Sequence, residues 1–402
     1  MESGNINTKA HQIVIVGGGT AGITVAALLS RKLRGRADIA IIDPSKDHFY
    51  QPAWTLVGGG TYRKEATRRD MANLIPRGVA WIKDAVSSID PQENSLQLAS
   101  GDIIQYRHLV VAAGIKINWD KVPGLAETIG TEGVCSNYSF ETVDSTWDNI
   151  RNFKGGTAIF THPATPIKCG GAPQKIMYLA DETFRKNGVR EKTRIIFAIA
   201  NPDLFQVPVY RQVLEQVVAR KGIETMFLHD LKRLNPGSRE AVFRQVETGD
   251  ETTVKYDMIH VTPPMGPPDF IANSDLADQA GWVEVDKFTL QHSRFANVYG
   301  LGDCSNLPTS KTGAAIRKQA PVVVKNLLSA IKQQPAAAKY DGYTSCPLVT
   351  GYGKLVMAEF DYDKKPQESF PINQAKERYS MWLVKKYGLP FLYWNIMLKG
   401  RG

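Results

Sequence analysis

Three glycines and one aspartate near the start of the chain have the spacing of a dinucleotide-binding site. Gly17, Gly19 and Gly22 follow the apolar residues 13–16, and Asp43 ends the next apolar run. Gly17 permits a tight turn, Gly19 lets the backbone approach a pyrophosphate, and Gly22 lets a helix pack closely on a strand. An acid after the second strand can accept hydrogen bonds from ribose hydroxyls. The spacing therefore predicts a phosphate-binding strand, turn and helix rather than an ordinary βα turn.

The cysteines are the side chains best suited to redox chemistry. Four in 402 residues are too few for a disulfide scaffold, and they lack the CxxC spacing of a metal site, so no metal is predicted. If they take part in chemistry, they do so as reactive thiols. The four are Cys135, Cys169, Cys304 and Cys346.

Cys169 is a candidate reactive thiolate. It precedes residues 170–173 (GGAP) and a predicted helix over residues 174–186, whose N-terminal dipole favours negative charge. Lys168 and Lys175 add positive charge, which lowers the pKa of a thiol. The alternative is an ordinary buried cysteine.

The other cysteines have different surroundings. Cys346 lies in a turn-rich stretch, residues 343–353, and is 177 positions from Cys169, so only the fold can bring these two together. Cys304 is expected to be structural. Cys135 is also expected to be structural, with the handling of a released sulfur atom as the alternative.

Two later strands indicate which dinucleotide is bound. One is predicted to end at Ala113 and Gly114, and another, over residues 295–303, ends at Asp303. Both are similar to flavoprotein strands, in which the aspartate holds the ribityl chain of FAD. A helix predicted from about residue 314 begins beside Lys311, which can stabilise the negative charge of a reduced flavin.

We therefore predict an α/β fold with two Rossmann-like three-layer domains and a C-terminal amphipathic, membrane-binding helical segment. In the second domain, two prolines and a lysine follow the strand at residues 157–160, where a nicotinamide site needs glycines, so nicotinamide binding is not expected. The predicted spans are residues 8–118 and 285–340 for the FAD domain, 119–284 for the second domain, and 341–402 for the segment with the second cysteine and the membrane-binding tail.

The C-terminal tail carries most of the net charge. The chain has a formal charge of +9, and residues 364–402 hold eight Lys and Arg against two Glu, together with seven aromatic residues. Helical patterns are predicted over residues 374–387 and 391–398. No apolar run is long enough to span a bilayer and the first residues do not resemble a signal peptide, so we expect a monotopic membrane contact. The alternative is a terminal helix packed in the core.

Motifs along nearly the whole chain resemble sulfide:quinone oxidoreductase, and most closely the type that includes the mitochondrial enzyme. The resemblance implies that Cys169 and Cys346 form a redox disulfide, with or without an inserted sulfur atom. Hydrosulfide attacks Cys346 to leave a persulfide, the released Cys169 thiolate engages the flavin, and two electrons pass through FAD to quinone. The motifs are GGGTAG at 17–22, HFYQPAWTLVGGG at 48–60, TPIKCGGAPQKIMYLA at 165–180, HVTPPMGPPD at 260–269, GLGDCSNLPTSKT at 300–312, YDGYTSCPLVTGYG at 340–353 and PFLYWNIMLKG at 390–400.

The residue roles expected from the motifs and the resemblance fall into three groups. The catalytic residues are Cys169, Cys346 and Lys175, the last as a charge that stabilises thiolate or persulfide. The FAD-binding residues are Gly17, Gly19, Gly22, Asp43, Gln51, Ala113, Gly114, Asp303 and Lys311. Lys311 can alternatively hydrogen-bond a quinone carbonyl. The candidates for stacking on the quinone are Phe370, Tyr379 and Phe391.

The expected partners are hydrogen sulfide, ubiquinone or menaquinone, and a small thiol, sulfite or further sulfide that accepts the sulfur. We also expect the protein to bind a membrane surface, at the cytoplasmic face of the plasma membrane, and to form a homo-oligomer. We do not expect it to bind nucleic acid. Three rival functions remain open. A type II NADH:quinone reductase would need a second glycine motif, which this sequence does not have. The flavin subunit of a sulfide dehydrogenase would carry an export signal and would lack an apolar tail like the one seen here. The third is a basic, non-enzymatic binding protein.

Overall fold

The computed structural model describes residues 7–401. The strands, in chain order, are β1 (Thr8–Val16), β2 (Ile39–Ile42), β3 (Asp47–Phe49), β4 (Arg68–Asp70), β5 (Val79–Ile82), β6 (Val86–Asp90), β7 (Ser95–Leu98), β8 (Ile103–Val111), β9 (Lys116–Ile117), β10 (Val134–Cys135), β11 (Gly156–His162), β12 (Thr193–Ile199), β13 (Glu224–Phe227), β14 (His229–Asn235), β15 (Glu240–Gln245), β16 (Glu251–Lys255), β17 (Met258–His260), β18 (Met265–Gly266), β19 (Val298–Gly300), β20 (Thr344–Gly351) and β21 (Lys354–Phe360). The α-helices are α1 (Thr20–Leu33), α2 (Trp54–Gly58), α3 (Val143–Asn152), α4 (Ala172–Lys186), α5 (Pro208–Lys221), α6 (Asp269–Ala272), α7 (Gly313–Ile331), α8 (Tyr379–Leu383) and α9 (Leu389–Asn395).

The first sheet has the strand order β5-β2-β1-β8-β7-β6, and β19 pairs with β8. The strands β5, β2, β1, β8 and β19 are parallel, and β6 and β7 form an antiparallel hairpin at one edge. The central strands are buried apolar runs, as expected for a parallel sheet covered on both faces. Helices α1 and α7 pack against each other beside it.

A second, five-stranded parallel sheet has the order β10-β17-β11-β12-β13, and a three-stranded antiparallel sheet, β14-β15-β16, follows it in the chain. Helices α4 and α5 contribute buried apolar side chains to the core on one side. The α/β fold class with two Rossmann-like units is confirmed by this architecture, whereas the predicted domain bounds stay a prediction.

Strands β20 and β21 form a hairpin that packs against α4 and α8. The turn-rich interpretation of residues 343–353 is wrong, because residues 344–351 form a buried strand. Pro347 misled the pattern, yet a proline is tolerated in a two-stranded hairpin, where each strand leaves one edge unpaired.

The tail is helical over a shorter span than predicted. Gln374 and Ala375 donate their backbone N–H groups to the side chains of Glu368 and Asn373, and Arg378 is extended, so the helix begins only at Tyr379. It continues through a π-helical turn, residues 384–388, into α9, where the proline expected to open the second helix lies in the first turn. A 3-10 turn over residues 397–399 ends the segment.

The tail is packed on one side and open on the other. Its inner side chains Tyr393, Trp394, Met397 and Leu398 belong to the same apolar core as β1 and α1. The core-packed alternative is therefore correct for these residues. The outer side chains are exposed: Tyr379, Leu383, Tyr387 and Phe391 lie four positions apart and are 38% to 64% accessible.

Candidate functional site

The fold brings Cys169 and Cys346 together. Cys346 lies in β20, Cys169 lies just ahead of α4, and their sulfur atoms are 4.0 Å apart. Both cysteines are free. The sulfurs must approach by about 2 Å to form a disulfide. The fold therefore brings two cysteines that are 177 positions apart in the sequence close enough to act as a redox pair.

The backbone holds Cys169 in a defined place. Its φ of 55° lies in the left-handed region, which non-glycine residues seldom adopt, so the surrounding structure must impose it. Its N–H donates to the carbonyl of Lys311 at 2.9 Å, and Lys168 forms a bridge with the same residue. The loop carrying Cys169 is thereby attached to the turn that carries Asp303 and Lys311.

The two thiols have opposite electrostatic surroundings. The hydrogen bond from Cys346 and the ammonium of Lys175 hold the pKa of the Cys169 thiol well below its usual range. Nζ of Lys175 lies 3.2 Å from Sγ of Cys169, and the lysine is 4% accessible. The contact with Cys169 and burial raise the pKa of Cys346. Cys169 is therefore the thiolate of the pair, and Cys346 is the thiol that keeps the proton.

A second buried ammonium, that of Lys385, was missed from the sequence. It lies in the π-helical turn of the tail, is 3% accessible and donates to the carbonyl of Pro52 at 2.8 Å. Burial lowers its pKa to about 7, with the nearby charge of Lys175 acting in the same direction and the thiolate of Cys169 opposing it. In the sequence it looks like its neighbour Lys386, which is only partly buried, and the two differ in how deeply each side chain is buried.

The glycine-rich turn has the shape that a bound FAD needs. A Cβ on Gly17 would lie 2.5 Å from the carbonyl oxygen of Ala112, and one on Gly22 would lie 1.8 Å from that of Gly17. A Cβ on Gly19, in contrast, would meet no protein atom within 4 Å. Gly17 and Gly22 are therefore needed for packing, whereas Gly19 leaves open space at the start of α1 for a pyrophosphate.

Asp43 and Asp303 provide acceptors at two places along such a ligand. Asp43 accepts the backbone N–H groups of Gly18 at 2.6 Å and Ser45 at 2.8 Å, and burial raises its pKa. Oδ1 of Asp303 is buried and has no hydrogen-bond partner among residues 7–401. A buried carboxylate oxygen without a partner indicates a missing donor, such as a ribityl hydroxyl. The residues present therefore fit FAD.

The remaining FAD candidates lie near this cradle. Lys311 donates to the carbonyls of Asp303 at 2.6 Å and Ser305 at 2.9 Å, and burial lowers its pKa. Gln51 is exposed and accepts a hydrogen bond from Lys168 at 2.8 Å. Contacts of these residues with the cofactor stay a prediction.

Ala113 and Gly114 follow directly after β8. Gly114 has a φ of +74° and open space where a Cβ would be. The end of this strand is therefore free of protein atoms on the side where a ligand can approach. Its contact with FAD stays a prediction.

The tail also touches the phosphate-binding turn, which the sequence did not show. Oη of Tyr393 lies 2.8 Å from Oγ1 of Thr20 and 2.6 Å from Nε2 of His48. Thr20 is the first residue of α1, directly after Gly19. The hydrogen bonds join the last helix to the predicted pyrophosphate site.

The quinone candidates Phe370, Tyr379 and Phe391 are all exposed, at 37%, 64% and 62% accessibility. None of the aromatic pairs found among residues 7–401 includes any of these rings. The described part of the chain therefore shows no stacking between these rings, and their role in quinone binding stays a prediction.

Cys135 and Cys304 are fully buried, and burial raises the pKa of each thiol to about 12 and about 11. Both values favour the structural interpretation. Across the described part of the chain, no cluster of three His, Cys, Asp or Glu side chains could hold a metal ion. No helix within residues 7–401 is long and apolar enough to cross a membrane.

Comparisons with known proteins agree with this geometry. Residues 11–146 match the family model for pyridine nucleotide-disulphide oxidoreductase. The mitochondrial sulfide:quinone oxidoreductase of Mus musculus is 46% identical over 97% of this chain and 87% of its own length, and that of Dictyostelium discoideum is 48% identical over 97% and 86%. The crystal structure of the sulfide:quinone oxidoreductase from Aquifex aeolicus has a TM-score of 0.81 at 21% identity, covering 95% of this chain and 91% of its own.

Near-complete coverage at this identity, together with the cysteine pair and the FAD cradle, identifies the family. The chain belongs to the FAD-dependent sulfide:quinone oxidoreductases.

Proposed function

We propose that this protein oxidises hydrosulfide with the Cys169–Cys346 pair and passes the two electrons to a membrane quinone. The observation that carries the proposal is the contact of these two sulfurs at 4.0 Å beside the buried ammonium of Lys175. Two cysteines, one favoured as thiolate and one as thiol, are what a redox disulfide needs after it has been opened.

The sulfur chemistry balances on this pair. Hydrosulfide attacks Sγ of Cys346 in the disulfide, so an S–S bond forms there, the bond between the cysteines breaks, and Cys169 leaves as a thiolate. A thiol, sulfite or second hydrosulfide then takes the outer sulfur of the persulfide and leaves Cys346 reduced. FAD held at Gly19, Asp43 and Asp303 would supply the two-electron acceptor that the two thiols need to form their disulfide again.

The polarity of the pair favours this order of events. A leaving thiolate departs more readily when its pKa is low, and the pKa of Cys169 is the lowered one. Lys175 and Lys385 offset its negative charge from two different elements, α4 and the tail. Because Lys385 has a pKa of about 7, it can also hold or release a proton beside the pair at neutral pH.

We further propose that the outer face of the tail rests on a lipid surface. The exposed stripe of Tyr379, Leu383, Tyr387 and Phe391 carries apolar and aromatic groups, and basic residues lie along the same segment. Such a helix lies in the interface with its aromatic side chains at headgroup depth. The quinone would then reach the flavin from the membrane side.

Vesicle binding tests the membrane proposal. Phe391→Ser should weaken co-sedimentation with vesicles containing anionic lipid by several-fold, because it removes a 62% exposed ring from the stripe. Phe288→Ser is the control, since Phe288 is 42% exposed but lies outside the tail. Equal binding by the two variants would contradict the proposal. Point substitutions are preferable to truncation, because the inner face of the tail is part of the core.

Which membrane the protein binds and which quinone it reduces are tested separately. The relatives from Mus musculus and Dictyostelium discoideum are mitochondrial proteins, so the plasma-membrane location stays a prediction. The choice between ubiquinone and menaquinone also stays a prediction. Cell fractionation and lipid extraction of the bound quinone would test both.

NADH is the discriminating substrate for the rival quinone reductase. The loop after β11 carries prolines and Cys169 in place of a glycine-rich turn. We therefore expect NADH to leave the flavin oxidised under conditions in which sulfide bleaches it. Bleaching at similar rates by both would refute the assignment of sulfide as the reductant.

A further inference from the structure

The two reactive cysteines lie on elements that meet again at their far ends. Cys346 is near the start of β20, and Cys169 is just ahead of α4. The chain runs six positions from Cys346 to Tyr352, in the turn after β20, and 13 positions from Cys169 to Glu182 of α4, which contacts that turn. Any tilt between α4 and the hairpin at this turn would change the separation of the two sulfurs at the other end.

Tyr352 joins three separate parts of the chain at this point. Its hydroxyl donates to the carbonyl of Gly59 at 2.7 Å and lies 2.9 Å from Oγ1 of Thr183. Its backbone N–H donates to Oε2 of Glu182 at 2.7 Å. Gly59 directly follows α2, whereas Glu182 and Thr183 are in α4, so one residue of the hairpin is bonded to both helices.

The packing around this turn leaves little freedom. A Cβ on Gly351 would lie 2.0 Å from Oε1 of Glu182, so the turn and the carboxylate are in direct contact. The same carboxylate pairs with Lys221 at 3.3 Å and Lys354 at 3.5 Å, which holds it in place. The ring of Trp382, in α8, meets the Tyr352 ring edge-on at 6.4 Å.

We propose that Tyr352 is a positioning residue that sets the separation of Cys169 and Cys346 by fixing α4 to the β20–β21 hairpin. It touches neither sulfur. Tyr352 acts on the effective concentration that each thiol presents to the other, because rigid elements held at one end restrict the motion of the opposite end. The inference rests on the proposed function of the cysteine pair.

The test measures this effective concentration directly. The holoenzyme is equilibrated anaerobically with glutathione and glutathione disulfide, where the pair takes up two electrons from two glutathione molecules. The thiols are then trapped at acid pH, and the reduced fraction of Cys169 and Cys346 is read by mass spectrometry. Tyr352→Phe should lower the effective concentration about tenfold, which corresponds to about 30 mV in reduction potential.

Tyr362→Phe is the matched control. Its hydroxyl also donates to a carbonyl at 2.7 Å, that of Lys287, and its ring also meets another aromatic ring edge-on, but it joins neither α4 nor α2. The FAD content and melting temperature of both variants report on folding. Thr183→Val, which removes only one bond from Tyr352, should shift the equilibrium in the same direction by a smaller factor and keeps the test open if Tyr352→Phe does not fold.

The outcomes separate the inference from the proposed function. An effective concentration for Tyr352→Phe equal to that of Tyr362→Phe, with Thr183→Val also unchanged, would overturn the positioning role while leaving the cysteine mechanism intact. Failure of the mechanism would appear differently, as sulfide turnover that survives the loss of Cys346. A lowered effective concentration at unchanged FAD content supports the proposal.

Discussion

Replacing Lys175 with methionine tests the electrostatic basis of the reactive thiolate. The substitution keeps the length and the apolar stem of the side chain and removes its charge. Nζ of Lys175 lies 3.2 Å from Sγ of Cys169; the lysine is buried and the cysteine is partly buried. The ammonium favours the thiolate over the thiol, so its removal must raise the pKa of Cys169.

The size of the effect follows from the contact. A hydrogen bond to a charged group contributes about 1.5 to 3 kcal/mol, which corresponds to a rise of about 1 to 2 in the pKa of the thiol. The bare Coulomb energy at this distance, with an effective dielectric constant of about 20, is roughly 5 kcal/mol and sets an upper bound. The nearby ammonium of Lys385 remains in the variant and compensates in part. We therefore expect the lower end of the range, about tenfold less thiolate at acid pH.

The assay is alkylation of Cys169 in the reduced holoenzyme as a function of pH, read by peptide mass. The pKa of this thiol is depressed in the folded protein, so the thiolate is present above that pKa and is lost as the pH falls through it. In Lys175→Met the whole profile should move to higher pH, with the largest loss of rate on the acid side. Lys186→Met, an exposed position of the same helix, is the control. Superimposable profiles for the two variants would show that the ammonium of Lys175 does not stabilise the Cys169 thiolate.

Variants at Gly19, Tyr393 and Cys304 test the FAD cradle, the packing of the tail and the role of a buried cysteine. Gly19→Ala should leave the melting temperature of the apoprotein unchanged and weaken FAD binding at least tenfold, because its Cβ would meet only the ligand. Gly22→Ala should lower both the melting temperature and the FAD affinity, because its Cβ overlaps the carbonyl of Gly17. An unchanged FAD affinity in Gly19→Ala would count against the proposed FAD cradle. Tyr393→Phe should lower the melting temperature by a few degrees relative to the exposed control Tyr387→Phe, through loss of two buried hydrogen bonds. Cys304→Ser should retain sulfide turnover within about threefold, and a loss of several decades would mean that this thiol takes part in the reaction.

The parts of the fold that depend on local pattern were predictable from the sequence. The run from β1 through the glycines to α1 shows its periods and turn residues within about 30 positions, and the structure follows them with small differences at the ends. The helix predicted over residues 174–186 begins two residues earlier, at Ala172, with its proline in the first turn as expected. In each case neighbouring residues determine the conformation.

The contacts between distant residues were not predictable in the same way. No local pattern predicts that Cys346 approaches Cys169, because this contact depends on how two sheets and a hairpin pack; the pair was expected only from the family resemblance. The burial of Lys385 results from a π-helical turn, and an adjacent lysine with the same local pattern is only partly buried. The hydrogen bonds of Tyr393 were not predictable either, because its partners Thr20 and His48 are more than 340 positions away in the sequence.

Anaerobic stopped-flow mixing of sulfide with the holoenzyme tests whether sulfide electrons enter through the cysteine pair. For entry through the pair we expect rapid bleaching of the flavin in the wild-type protein and a rate lower by several decades in Cys346→Ser at unchanged FAD content, since members of a catalytic unit fail together. Bleaching of Cys346→Ser at near the wild-type rate would contradict entry through the pair.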